Sequence, residues 1–230
     1  MKAIILSAGR GKRMMPLTAK QPKPMLKVAG KPLIEHHIER LKVAGITDIV
    51  INLAWQGQVI KDYFGDGSGF GVQITYSEEP EGGLETAGGI IQALPLLCQD
   101  GECFVVVNGD IFTDYDVTSL QQLQLGKATE GHCEAHIVLV ENPSHNLDGD
   151  FHLAHQPLNQ EKYTFSGIGL YHKHFFAELD AGFVKLGPLL RNGLAKHKVS
   201  TELYLGQWDD IGTPERLEAM NTKLGYSDVG

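Results

Sequence analysis

The sequence has few cysteines and no long apolar run, and both shortages narrow the kinds of protein it can encode. Its three cysteines cannot all pair, and Cys98 and Cys103 lack the second pair that a zinc site needs. No apolar stretch approaches the roughly 20 residues of a membrane-spanning helix. The first residues form a short apolar segment that runs into a glycine loop, which is typical of a first strand rather than an export signal. We therefore expect reduced thiols and a cytoplasmic protein that does not bind membranes.

Acidic residues are absent from the first 31 positions, although the whole chain is acidic. The chain has 20 basic and 28 acidic residues, and eight of the basic ones lie in this segment, which leaves 12 against 28 elsewhere. Nucleic-acid binding needs a broad basic face, so it is not expected here. One basic segment in an acidic protein favours a small polyanion held by a single loop. A solvated basic surface is the alternative interpretation.

The spacing of apolar residues predicts alternating strands and helices up to about residue 125. Strands are expected at 2–7, 48–53, 72–76 and 103–107, with helices between them. After residue 126 the pattern predicts strands at 134–140, 163–171 and 199–205, and helices at 183–196 and from residue 214. Such alternation is typical of an α/β protein with a mostly parallel sheet covered by helices. We expect one domain over 1–230, divided near residue 125.

The loop after the first strand combines glycines with cations. Its sequence, residues 9–14, reads Gly-Arg-Gly-Lys-Arg-Met. A dinucleotide-binding fingerprint needs a third glycine where Met14 stands, and a P-loop needs Ser or Thr where Arg13 stands. Glycines still allow backbone N–H groups to approach phosphate oxygens, and an arginine can clamp a phosphate through two hydrogen bonds. The loop is therefore a candidate phosphate site of another type.

Two proline motifs follow in the same acid-free segment, Pro-Leu-Thr at 16–18 and Pro-Lys-Pro at 22–24. Prolines on both sides of Lys23 restrict its backbone and can aim its ammonium at one point. With the glycine loop, these motifs resemble the amino-terminal signature of the sugar-nucleotide pyrophosphorylases, the nucleotidyltransferases that make NDP-sugars from an NTP and a sugar 1-phosphate.

The resemblance implies a fold and a division of the chain. The expected fold is Rossmann-like, a three-layer α/β/α arrangement with a mixed, mostly parallel sheet and no carboxyl-terminal β-helix. Residues 1–125 would bind the nucleotide and residues 126–230 the sugar. Arg13 and Lys23 would be catalytic, and Mg²⁺ would be held by Asp110, at the end of an apolar strand, and by Asp210 rather than its neighbour Asp209.

The resemblance also implies contacts to both substrates. The expected nucleotide-binding residues are Ala8, Gly9, Gly11, Lys12, Arg13, Lys23, Gly83, Thr86 and Asn108. The expected sugar-binding residues are Asn142, Asp150, Ser166 and Gly167. The implied reaction transfers UMP from UTP to a sugar 1-phosphate, with N-acetyl-α-muramic acid 1-phosphate as the favoured acceptor, in the recycling of peptidoglycan.

Two alternatives stay open at this point. The first is the same reaction with another acceptor, such as mannose, heptose or glucose 1-phosphate, or phosphocholine. The second is a nucleotide-sugar sensor without catalysis, although a pure binder would not need both metal carboxylates. The sequence gives no indication of the oligomeric state.

Overall fold

The computed structural model describes residues 1–99, 101–126, 132–154 and 161–226. Its strands, in chain order, are β1 (Lys2–Leu6), β2 (Lys27–Val28), β3 (Lys31–Pro32), β4 (Asp48–Leu53), β5 (Gln73–Glu78), β6 (Cys103–Asn108), β7 (Ile111–Thr113), β8 (Ala135–Val140), β9 (Thr164–His172), β10 (Val199–Tyr204) and β11 (Trp208–Asp210). Its α-helices are α1 (Leu33–Val43), α2 (Gly57–Phe64), α3 (Glu85–Leu97), α4 (Leu186–Ala195) and α5 (Pro214–Lys223). In the described part of the chain, no helix is long and apolar enough to cross a membrane.

Seven strands form one mixed sheet in the order β10-β8-β9-β6-β1-β4-β5. β9 runs antiparallel to both of its neighbours, β6 and β8, and the remaining pairs are parallel. Leu6 at the end of β1 is in register with Asn52 on one side and Asn108 on the other. The carboxyl ends of three adjacent parallel strands therefore share one edge of the sheet, which is where open α/β sheets bind ligands.

Alternate residues of the strands enter two separate cores, as the pleat of a strand requires. On one face, Ile5 and its neighbours pack against α1 and α2 through residues such as Ile38 and Phe64. On the other face, Ile4 and its neighbours pack against α3 and α4 through residues such as Ile90 and Leu190. The predicted mostly parallel, three-layer architecture is confirmed.

Two short strand pairs lie outside the main sheet, and neither was predicted from the sequence. β2 pairs with β3 in a hairpin, and β7 pairs antiparallel with β11 across almost 100 residues of chain. Strands of two or three residues are too short for apolar alternation to show in the sequence. With α5 they surround a third, smaller core around Phe112 and Met220, which holds α5 against β2.

Candidate active site

A cavity of about 570 Å³ opens at the carboxyl ends of β1, β4 and β6. Its walls are made by the loop after β1, the segment at Lys23, the turn before α3 and the end of β6. The lining residues are Leu6, Ser7, Ala8, Gly9, Arg10, Gly11, Lys12, Lys23, Pro24, Asn52, Glu79, Gly82, Gly83, Leu84, Glu85, Thr86, Asn108, Asp110 and Phe183. The structure thus gathers glycine-rich backbone and several cations around one space.

The loop after β1 is held in place by polar contacts with residues further along the chain. Gly11 adopts a left-handed conformation with φ of +58°, which favours glycine, and an added Cβ there would lie 3.1 Å from the Cβ of Lys23. The hydroxyl of Thr18 donates to the Gly11 carbonyl over 2.9 Å, and the Trp55 indole donates to the Thr18 carbonyl over 3.1 Å. The guanidinium of Arg10 lies over the Trp55 ring at 4.7 Å. These contacts fix the path of the glycine loop before any ligand binds.

Lys23 lies in the cavity wall and its ammonium bonds to the carboxylate of Asp110. Only 8% of Lys23 is exposed, although the charged end reaches the cavity. Pro22 has an extended backbone and Pro24 stands in the short 3-10 helix that starts at Lys23, so the lysine backbone has little freedom. A cation held in a partly desolvated wall attracts phosphate oxygens more strongly than a cation in bulk water.

The β7–β11 pair brings Asp210 to the neighbourhood of Asp110. Asp210 is paired with Ile111, and the N–H of Ile211 donates to the Asp110 carbonyl over 2.9 Å. Asp210 itself is not among the residues that line the cavity. Its Oδ1 accepts from Arg216 Nη1 over 2.6 Å and lies 2.8 Å from His145 Nε2. The neighbouring Asp209 has another partner, Lys223, at 3.5 Å.

The structure brings most of the nucleotide-binding residues predicted from the sequence around this cavity. Eight of them line it, namely Ala8, Gly9, Gly11, Lys12, Lys23, Gly83, Thr86 and Asn108. Arg13 does not, because it lies on a short 3-10 helix next to the loop with its side chain exposed.

The residues predicted to bind the sugar lie outside the cavity lining, and their polar atoms have protein partners. Asn142 donates to the Lys162 carbonyl over 2.8 Å, and its Oδ1 accepts from the Thr164 hydroxyl over 2.9 Å. The carboxylate of Asp150 accepts from the Phe165 N–H over 2.9 Å. This cluster joins the described residues that follow β8 to those around the start of β9.

Ser166 and Gly167 lie at the start of β9, nearer to the cavity. The Ser166 hydroxyl is 1% exposed and donates to the Val138 carbonyl over 2.7 Å, so it serves the sheet. An added Cβ at Gly167 would lie 2.5 Å from the Asn108 side chain, which itself lines the cavity. Gly167 therefore marks where the two predicted sets of residues meet.

Asn52 and Glu79 form a polar chain across the strand ends that no sequence motif predicted. Asn52 accepts from the Ser7 N–H over 2.6 Å and donates to Glu79 over 2.6 Å, and Glu79 accepts from the Leu84 N–H over 2.8 Å. Burial raises the pKa of the Glu79 carboxyl, while these hydrogen bonds lower it. The one sequence signal was Gly89 in a helix, because an added Cβ there would meet the Asn52 side chain at 2.8 Å and collide with Glu79.

Phe183 is a further cavity residue that no motif indicated. Its side chain is 66% exposed at the cavity, on the segment that leads into α4. The Val184 N–H donates to the Leu84 carbonyl over 3.0 Å, and the Val184 carbonyl accepts from the Ala87 N–H over 3.0 Å, which attaches this segment to the start of α3. An aromatic side chain that is left open beside a cavity is available to cover a bound ring.

Comparison with known proteins is consistent with this geometry. The family model described as nucleotidyl transferase matches residues 2–149. The chain is 51% identical over 232 residues to the N-acetylmuramate alpha-1-phosphate uridylyltransferase of Neisseria meningitidis serogroup B, a match that covers 98% of this chain and 99% of the relative. It is 36% identical over 141 residues to the mannose-1-phosphate guanylyltransferase of Mycobacterium tuberculosis, which covers 61% of this chain and 38% of the relative.

A solved structure supports the fold in particular. The match is a Bacillus anthracis protein, assigned as a glucose-1-phosphate thymidylyltransferase and crystallised with sucrose, with a TM-score of 0.82 and 24% sequence identity. It covers 100% of this chain and 97% of the other. The resemblance drawn from the amino-terminal motifs is confirmed by the family model and by the full-length relative. This chain belongs to the nucleotidyl transferase family.

Proposed function

We propose that this protein transfers UMP from UTP to N-acetyl-α-muramic acid 1-phosphate and so makes UDP-N-acetylmuramic acid. A phosphate oxygen of the sugar attacks the α-phosphorus of UTP, the bond from that phosphorus to the bridging oxygen breaks, and pyrophosphate leaves. The observation that carries the proposal is the Lys23–Asp110 pair in a cavity that is also lined by the glycine loop. The full-length relative in Neisseria supports the choice of base and sugar.

The reaction needs charge neutralisation more than proton transfer. The sugar phosphate is largely a dianion at neutral pH, since its second pKa is about 6, so no general base is required. Bringing it to a nucleoside triphosphate sets two polyanions against each other. Catalysis then consists of positioning and of cations placed where charge develops.

The cavity supplies such groups in this chain. Lys23 is proposed to bridge the α-phosphate and the incoming sugar phosphate, because its ammonium is the most buried cation in the cavity lining. The backbone of Gly11 and Lys12 is proposed to hold the β- and γ-phosphates together with Arg13, which needs to turn from its exposed position toward the cavity. Ala8, Gly9, Gly83, Thr86 and Asn108 are proposed to surround base and ribose.

The sugar is proposed to lie toward the second half of the chain. Gly167 packs against Asn108 there, and Ser166 precedes it on β9. Asn142 and Asp150 stand in the loop that follows β8 and are proposed to complete the sugar side. The division between a nucleotide half at 1–125 and a sugar half at 126–230 belongs to the same proposal, as does a role in cytoplasmic peptidoglycan recycling.

The donor set fits a divalent cation. Asp110 lines the cavity, and the β7–β11 pair brings the backbone of Asp210 next to that of Ile111. In the part of the chain that the structure describes, no group of three His, Cys, Asp or Glu side chains forms a metal site made of protein ligands alone. Mg²⁺ commonly binds through one or two carboxylates plus substrate phosphates rather than in a protein cage. We propose Asp110 and Asp210 as its ligands; when bound, the ion supplies neutralising charge to the phosphates.

Pyrophosphate release tests the reaction. The wild-type protein is assayed with UTP and N-acetylmuramic acid 1-phosphate, then with glucose, mannose and heptose 1-phosphates and with phosphocholine, each with UTP, GTP and CTP. The proposal expects the highest kcat/KM for the muramic substrate with UTP. A higher kcat/KM for mannose 1-phosphate with GTP would contradict the proposed substrates and indicate the reaction named for the guanylyltransferase relatives. Binding without turnover of any substrate in the panel would favour a nucleotide-sugar sensor.

Asp110→Asn tests the metal assignment. The variant keeps the size of the side chain and loses the charge that attracts both a divalent ion and Lys23. We expect turnover to fall about 10²-fold or more at limiting Mg²⁺, by analogy with other lost transition-state contacts. Asp148→Asn, an exposed carboxylate outside the cavity, is the control. Wild-type turnover in the Asp110 variant at limiting Mg²⁺ removes Asp110 from the metal site.

A further inference from the structure

Asp210 is held by two basic side chains that come from distant parts of the chain. Arg216, on α5, donates from Nη1 to Oδ1 of Asp210 over 2.6 Å, and Nε2 of His145, in the loop after β8, lies 2.8 Å from the same oxygen. Arg216 Nη1 and His145 Nε2 are themselves 2.7 Å apart. The other oxygen, Oδ2, has no hydrogen-bond partner among the residues described in the structure. One carboxylate oxygen is therefore engaged twice and the other is left available.

The backbone around Asp210 makes room for this arrangement. An added Cβ at Gly212 would collide with the guanidinium of Arg216 and would lie 3.0 Å from Oδ2 of Asp210. The side chain of Thr213 caps α5 by accepting from the N–H of Arg216 over 3.4 Å, so the helix starts where Arg216 faces back to β11. The glycine and the cap together place the guanidinium against the carboxylate.

We infer that Arg216, with His145, is a positioning residue that fixes Oδ1 of Asp210 so that Oδ2 receives the divalent cation. This inference rests on the proposed function, because it takes Asp210 as a metal ligand. Hydrogen bonds to a ligating carboxylate set its orientation, and their loss commonly costs 10- to 100-fold in metal affinity or activity. Repulsion between the guanidinium and the ion opposes this effect, but the side chains of Arg216 and Asp210 are each 24% exposed, and solvent weakens the repulsion.

The direction of the change in metal affinity shows whether Arg216 positions Asp210 for the ion or competes with the ion for its carboxylate. Mn²⁺ binding to the full chain, saturated with UTP, is measured from the electron paramagnetic resonance signal of the free ion. We expect Arg216→Gln to bind Mn²⁺ about 10- to 100-fold more weakly than wild type, and Arg216→Lys to lie between the two. Lys223→Gln, which removes the partner of Asp209 on the same helix, is the matched control and should leave the affinity unchanged. Unchanged or tighter binding in Arg216→Gln overturns the inference.

A second variant covers the case in which loss of Arg216 unfolds α5. Gly212→Ala keeps the arginine but takes the space of its guanidinium, so it should weaken Mn²⁺ binding while urea unfolding shows a folded protein. Wild-type affinity in a folded Gly212→Ala protein counts against the inference. Asp210→Asn distinguishes failure of the metal site from failure of the role of Arg216. If Asp210→Asn leaves the Mn²⁺ affinity unchanged, Asp210 is not a metal ligand. If Asp210→Asn weakens Mn²⁺ binding and Arg216→Gln does not, only the positioning role of Arg216 is wrong.

Discussion

In the first half of the chain, polar side chains at the strand ends line an open cavity, whereas in the second half they mainly bond to the protein itself. Lys23, Asn108 and Asp110 all face the cavity. Asn142, Asp150 and Ser166 instead donate to or accept from neighbouring backbone and side chains.

The sheet topology explains this difference. Parallel strands β1, β4 and β6 end at one edge and pass directly into short loops, so their backbone amides and side chains point into the space above the sheet. β9 runs the other way, so it begins at the edge where its neighbour β8 ends, and the described residues between them are held by bonds of Asn142 and Asp150. The polar side chains of this loop therefore act as partners of neighbouring backbone groups, which are costly when buried and unpaired. We therefore expect substitutions of charged cavity residues such as Lys23 to change chemistry, and substitutions in the loop after β8 to change mainly stability.

The largest expected effect is at Lys23. Lys23→Met keeps the buried stem and removes the ammonium, so kcat should fall about 10²- to 10³-fold, by analogy with other lost transition-state contacts, while the fold is retained. Lys20→Met, an exposed lysine in the same acid-free segment, is the control for a general loss of positive charge. The measurement is pyrophosphate release at saturating substrates together with a thermal unfolding curve. Turnover close to wild type would contradict the expectation that Lys23 and the cavity carry the chemistry.

Next in size is the pH dependence of stability that His37 imposes on the first half. Burial lowers the pKa of His37 to about 3, and the side chain is only 3% exposed. The unfolded chain binds a proton near its ordinary pKa of 6.5 while the folded one does not, so stability is present above 6.5 and is lost as the pH falls below it. We expect a loss of about 2 kcal/mol in the free energy of unfolding between pH 7 and pH 5.

Urea unfolding of wild type and His37→Asn at the two pH values measures this contribution. The variant should lose most of the slope even if it is less stable throughout, because a packing defect does not depend on pH. His132→Asn, at an exposed position, should keep the wild-type slope. Equal slopes in wild type and His37→Asn would show that the folded protein protonates this histidine.

A smaller effect is expected at Asp150, in the second half. Asp150→Asn weakens the bond to the Phe165 N–H and should lower the free energy of unfolding by about 1 kcal/mol. The KM for UTP should not change, whereas the KM for the sugar 1-phosphate rises if Asp150 also meets the sugar. Asp148→Asn, exposed in the same loop, serves as the reference. A change in the KM for UTP would contradict the separation of the two halves.

The smallest expected effect concerns Glu79. Burial raises the pKa of its carboxyl, so its contribution to stability is fully present below the ordinary pKa of 4.5 and is lost as the pH rises through the higher folded value. The stability of wild type relative to Glu79→Gln should therefore decrease between pH 4 and pH 7. Urea unfolding of both proteins over this range measures the difference. The opposite slope would mean that the bonds from Asn52 and Leu84 outweigh burial.

What could be predicted from the sequence depended on how far apart the interacting residues stand. The parallel strands showed as apolar runs, and the glycine loop and Lys23 lie within one segment whose motifs resemble a known signature. The resemblance pointed to Asp110 as a metal ligand, and its place after an apolar strand agrees with that prediction, because ligands bind where parallel strand ends meet.

The remaining features depend on pairings that no local pattern encodes. The β7–β11 pair joins segments almost 100 residues apart, and the contacts of Asp210 with Arg216 and His145 exist only once that pair has formed. Asn52 and Glu79 stand at the ends of two different strands, and apart from Gly89 in α3 no local signal indicates that their side chains are connected. The engagement of Ser166 with the sheet likewise depends on which neighbour β9 selects.

The position of β9 between β6 and β8 has a consequence for the order in which the sheet forms during synthesis. β1, β4, β5 and β6 come from residues 2–108 and are adjacent in the sheet, so they can associate as soon as they leave the ribosome. β8 emerges before β9 but attaches to the sheet only through it, since β9 lies between β8 and β6. The nascent chain must therefore hold an apolar strand, Ala135–Val140, without its neighbour until His172 has been made. During that interval, β8 is the segment that a chaperone has most reason to protect.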